Sequence, residues 1–89
     1  MIEIAYTVHT FKESDTFVAY VPELDISSCG ASRDEALRNI RDAVDGFLES
    51  STAHGTLDGI LEESGYRRVG DTWESPEYVG LDRQTARVA

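Results

Sequence analysis

Few residues of this chain have the type and placement for bond-making chemistry. The single thiol, Cys29, lies between Ser28 and Gly30, and the segment 26–32 holds no basic residue. A reactive cysteine needs a base or a positive field to hold it as thiolate. A dyad with His9 requires that the first and third strands be neighbours; otherwise Cys29 reads as a small apolar residue packed in a strand. His9 falls on the polar side of an alternating segment and His54 precedes Gly55 in a loop. Neither has the i, i+4 partner of a helical metal site, so both read as surface histidines. Glu23 and Asp25 flank Leu24. Two such carboxylates, with Glu3, could hold magnesium in a residual metal-dependent nuclease, but a two-metal site needs several converging carboxylates. The glycines never form a phosphate cradle followed by Lys and Ser or Thr. No catalytic residue, metal or cofactor is therefore expected.

Charge points to binding instead. The net charge of −9 belongs wholly to residues 1–64, which hold thirteen acidic and four basic residues. Residues 65–89 hold four of each. An acidic surface repels phosphate backbones and attracts cationic partners, although net charge also serves plain solubility. Arg67-Arg68 is the only adjacent basic pair, too little for a nucleic-acid footprint. No apolar run approaches the ~20 residues needed to span a bilayer. The N-terminus lacks a basic region followed by an apolar stretch, so a secretory signal is not expected. One cysteine gives no intramolecular disulfide, and the cytoplasm is the expected compartment.

These residues must be positioned by a small set of elements. Residues 2–11 alternate, with Ile2, Ile4, Tyr6 and Val8 on one face and Glu3, Thr7 and His9 on the other, which predicts a half-buried strand. Residues 12–15 form a polar turn, and residues 16–21 form a second strand stopped by Pro22. Residues 26–29 make a short third strand before Gly30. Ser32-Arg33-Asp34-Glu35 fits a capping box. Ala36, Leu37, Ile40, Ala43, Val44, Phe47 and Leu48 follow the helical period, so a helix runs to about Glu49. After a break at 50–55, Thr56 caps a shorter helix over residues 57–64, with Gly65 as its stop. Residues 66–73 suggest a hairpin turning at Gly70-Asp71, or one frayed strand. The order β-β-β-α-α-β predicts an α+β fold, an antiparallel sheet of three or four strands packed against one long helix plus a short second helix. Residues 1–73 form the domain; residues 74–89 are a tail or arm, or add a further strand.

One stretch carries a resemblance. It reads Phe17-Val18-Ala19-Tyr20-Val21-Pro22-Glu23-Leu24-Asp25, then Ser28-Cys29-Gly30, then Ser32 through Val44, then Phe47-Leu48-Glu49. An aromatic, Ala-x-x-Pro-Glu-Leu, a Gly five to six residues on, and Glu-Ala-Leu-x-Asn-x-x-x-Ala-Val with a final Leu-Glu resembles the HicB-like antitoxin family over roughly residues 2–50. The resemblance implies a degraded ribonuclease H-like fold without the full catalytic carboxylate set. It implies an antitoxin that neutralises a small basic, messenger-RNA-cleaving (HicA-like) toxin by covering its active site, and assembly as a homo-oligomer, dimer or tetramer. Asp15-Thr16 replaces the Asp-Gly turn common in the family, and Leu24-Asp25-Ile26 replaces its usual Leu-Pro-Gly. Residues 65–89 lack a helix-turn-helix pattern, so this reads as a short form in which direct DNA binding is not expected. Glu23, Asp25, Asp34 and Asp42 are the candidate partner-binding residues. Trp73 and Tyr78 are candidate oligomer-interface anchors, or side chains that close the end of the core. An orphan oligomeric adaptor without a toxin is the competing reading, with the residual nuclease as a third.

Overall fold

The computed structural model describes residues 3–89. Ile2, placed at the head of the first strand by its alternation, lies outside the described residues. The elements are β1 (His9–Glu13), β2 (Thr16–Val21), β3 (Ile26–Gly30), α1 (Arg33–Ala53), α2 (Leu57–Glu63), β4 (Arg67–Val69) and β5 (Thr72–Glu74). β1, β2 and β3 form an antiparallel sheet in that order, and β4 and β5 form a separate two-stranded one. The α+β layout expected from the sequence is the one found, with the final strand resolved into a hairpin that turns at Gly70-Asp71.

The core lies between one sheet face and α1. Side chains alternate along a strand, so Phe17, Ala19 and Val21 of β2 point to the same side. Ala19 and Val21 are fully buried there, against Ala36, Ile40 and Val44, which recur every four residues along α1. Leu24, Leu61, Tyr66 and Trp73 complete the cluster. The sheet and helix meet closely at Gly30, where a Cβ would lie 2.7 Å from the Ala36 backbone nitrogen. Only glycine fits that approach without moving the helix. Asn39 ties the same pair of elements together, its amide donating to the Cys29 carbonyl at 2.8 Å.

Three boundaries differ from expectation. The first strand begins its ladder at His9, because residues 3–8 have no neighbouring strand among the described residues except for one parallel bridge from Ile4 to Trp73. Ile4, Tyr6 and Val8 are nonetheless packed against the core, so the alternation reported burial without pairing. Lys12 and Glu13 belong to β1, paired with Phe17 and Thr16, which leaves a two-residue connection with Ser14 at φ 53.

The third difference is that α1 continues to Ala53. The polar residues beyond Glu49 stay helical because their groups are satisfied within the helix. The Thr52 hydroxyl donates to the Leu48 carbonyl at 2.8 Å, and the His54 amide donates to Ser50 at 3.0 Å. Ser32 caps the start of α1 by accepting from the Glu35 amide at 3.1 Å. Thr56 makes no side-chain cap for α2; its hydroxyl turns back to the Ser51 carbonyl at 3.3 Å. Gly65, at φ 89, ends α2 as expected. No helix among the described residues is long and apolar enough to cross a membrane.

Candidate functional site

The four candidate acids fall into two groups with different surroundings. Glu23 follows Pro22 at the end of β2 and is half-buried. The Thr7 amide donates to both of its carboxylate oxygens, at 3.1 and 3.0 Å. Thr7 lies outside any strand ladder, so Glu23 supplies the acceptor that a sheet neighbour would otherwise provide. Tyr66 holds the same segment from another side, its hydroxyl donating to the Ala5 carbonyl at 2.7 Å. Burial, and then the nearby negative charge of Glu23, push the Tyr66 phenol up to about 12.

Asp25 is exposed but also engaged. Its backbone is left-handed, at φ 54, a conformation that aspartate tolerates better than most side chains. Its carboxylate accepts from the Tyr20 hydroxyl at 2.9 Å. That hydrogen bond, followed by desolvation and by the Asp25 charge, raises the Tyr20 pKa. Glu23 and Asp25 thus sit near each other in sequence, with each carboxylate committed to a different internal partner.

Asp34 and Asp42 are exposed on α1. Asp34 stands in the first turn, where a negative charge complements the helix dipole. Asp42 belongs to a larger pattern that no motif marks. At 100° per residue, Asp42, Asp45 and Glu49 lie within a narrow exposed stripe of α1. Asp58 and Glu62 occupy a second stripe at i, i+4 spacing on α2, beside Glu63. No lysine or arginine occurs between Arg41 and Arg67. That gap is visible in the sequence as a run of charge of one sign.

The remaining candidates separate cleanly. Trp73 is 4% exposed and belongs to the core, so it closes the end of the domain. Tyr78 is 53% exposed and meets His9 edge-on, with ring centroids 5.9 Å apart. The His9 Nε2 and the Trp73 indole nitrogen are both buried without a hydrogen-bond partner among the described residues. β2 lies between β1 and β3, so the neighbouring strands that a Cys29–His9 dyad required are not present. Among the described residues, no group of three or more His, Cys, Asp or Glu side chains is gathered as a metal cage. The adjacent basic pair is largely neutralised locally: Arg67 pairs with Glu74 at 3.1 Å, and Arg68 approaches Asp58 at 3.7 Å.

Compared with known proteins, the chain matches no family model, no curated protein and no solved structure. The residues that carry the HicB-like resemblance are therefore judged by what they do in this fold. Glu23 clamps the Thr7 amide, Leu24 is buried, Gly30 admits the helix and Asn39 tethers it. Each holds the layers together, and none is a free chemical group.

Proposed function

We propose that this chain is an antitoxin-like binding domain that docks a small basic protein on its acidic helical surface. By the resemblance, that protein is a messenger-RNA-cleaving toxin whose active site the domain covers, in the cytoplasm. The observation that supports this reading most is the exposed stripe of Asp42, Asp45 and Glu49 on α1, in a stretch without a lysine or arginine up to Arg67. Neither helix carries a basic residue in its last turn. The last turn of α2 instead carries Glu62 and Glu63, where negative charge opposes the helix dipole. Their presence fits a surface kept for a cationic partner better than one tuned for stability.

The contact set shifts accordingly. Glu23 and Asp25, engaged inside the domain, support the surface without forming it. Asp42, with Asp45 and Glu49, makes the contact, and Asp34 stands at its margin. Electrostatic complementarity of this kind acts mainly on association rate and specificity.

The test is to look for a small basic protein encoded beside this gene and to co-express any such protein, followed by co-purification and measurement of association rate against salt. The combined change Asp42→Lys, Asp45→Lys and Glu49→Lys is expected to slow association by at least about tenfold at low salt and to flatten its salt dependence. An unchanged rate removes the stripe from the interface. Failure of the neighbouring protein to co-purify removes the antitoxin reading itself.

A further inference from the structure

The sheet face turned away from α1 and the segment after β5 each leave apolar side chains uncovered. On that outer face, Phe11 of β1 stands opposite Val18 of β2, which stands opposite Cys29 of β3, with Tyr20 beside them. Phe11 is 45% exposed and Cys29 is exposed. Tyr78 reaches the edge of this face through His9. Beyond it the chain forms no helix or strand and is exposed at every residue. Val79 is 91% exposed, Leu81 74% and Val88 94%. The radius of gyration, 15.2 Å, exceeds the roughly 12 Å of a compact domain of this length. Val79 and Leu81 are two residues apart, so in an extended chain they share a side.

We infer that residues 79–89 are an exchange arm that lies across the outer sheet face of a second copy of this chain. A reciprocal pair of arms makes a closed two-fold dimer. Three observations select that occupant. The arm's apolar residues are left open to solvent by their own chain, while an apolar strip of matching character is open on the sheet. Eleven extended residues span up to about 36 Å, ample to cross three strands set about 4.8 Å apart. The arm carries Arg83 and Arg87 against one acid, Asp82, whereas residues 1–64 carry the whole net charge of −9, so the arm is drawn to the body of a like chain. Burying both arms covers Phe11 as well as Val79 and Leu81. This inference is independent of the proposed toxin, because it concerns the chain alone.

Sedimentation of the purified chain across micromolar concentrations tests it. The full chain is expected to run as a dimer of 9.9-kDa subunits. Leu81→Asp, in the arm, and Phe11→Asp, on the face, are each expected to give a monomer with an unchanged far-ultraviolet spectrum. Because Cys29 is the only native thiol, Leu81→Cys supplies a direct readout. Mild oxidation should give a covalent dimer, and Cys29→Ser in the same background should lower its yield several-fold. A monomeric full chain overturns the proposal. So does a dimer indifferent to Leu81→Asp, or a disulfide that joins Cys29 to the introduced thiol within one chain.

Discussion

The loop after β2 and the exposed stripe of α1 both carry carboxylates, yet the two sets serve opposite ends. Glu23 is half-buried and holds the Thr7 amide, while Asp25, though exposed, accepts from the Tyr20 phenol. Asp42, Asp45 and Glu49 pair with no cation among the described residues and face outward. A carboxylate given a fixed donor contributes to stability, and one left to solvent contributes to the field around the molecule. The same residue type thus divides into an engaged set and a solvent-facing set by what the fold places within reach.

Substitution can break this division, and the largest effect is expected at Glu23. Glu23→Ala leaves the half-buried Thr7 amide without an acceptor and removes its bifurcated, charge-assisted bond. The expected loss is about 2 kcal/mol, read as a fall in melting temperature of roughly 8–16 °C for a domain this small. A melt that matches the unmodified chain would show that Glu23 belongs with the solvent-facing set.

Tyr66 comes next. Tyr66→Phe forfeits the bond to the Ala5 carbonyl, with an expected cost of about 1 kcal/mol. Its pH dependence carries a definite sign. The folded state holds the phenol's proton to about 12, above the ordinary 10.0. Stability from the neutral, bonded phenol is therefore intact below pH 10 and declines as pH rises toward about 12. Denaturant melts of the two proteins from pH 8 upward should converge over that alkaline range, and parallel curves would deny the coupling.

At Asp25 the effect is smaller and lies in the backbone. Asp25→Gly keeps the left-handed turn at ease, whereas Asp25→Ala does not, and a difference of about 1 kcal/mol in favour of glycine is expected in equilibrium unfolding. Equal stabilities would mean that the Tyr20 bond, lost in both, is all that Asp25 provides. The smallest shift belongs to the outward set. Replacing Asp42, Asp45 and Glu49 together by lysine should change unfolding free energy by no more than about 0.5 kcal/mol, since these are exposed positions. A large destabilisation would erase the contrast between the two regions.

Much of this fold was legible because burial leaves a period in the sequence. The Ala36, Ile40 and Val44 spacing placed α1 against the sheet, and the Ser32 cap fixed its start. Alternation at Ile4, Tyr6 and Val8 reported which side is buried. It could not report that residues 3–8 lack a ladder, because the groups that replace the ladder, Glu23 and Tyr66, lie far along the chain. The end of α1 was misplaced because hydroxyl residues read as a break, whereas Thr52 returns its hydroxyl to the Leu48 carbonyl and the carbonyl of buried Ser51 accepts from Thr56. The candidate surface was only half legible. The charge totals marked residues 1–64 as acidic, but nothing local distinguishes Glu23, which is spent on an amide, from Asp42, which faces solvent. That distinction depends on which donors come within hydrogen-bonding reach after folding.

The contacts that secure residues 3–8 also set an order of events. Ile4 bridges to Trp73, and Ala5 receives its hydrogen bond from Tyr66. A ribosome makes the early segment first, and Glu23, which holds Thr7, follows sixteen residues on, yet the residues that fasten Ile4 and Ala5 emerge some sixty positions later. The sheet and α1 can assemble while synthesis continues, but the head of the chain must wait with Ile4 and Tyr6 uncovered until the β4–β5 hairpin has left the tunnel.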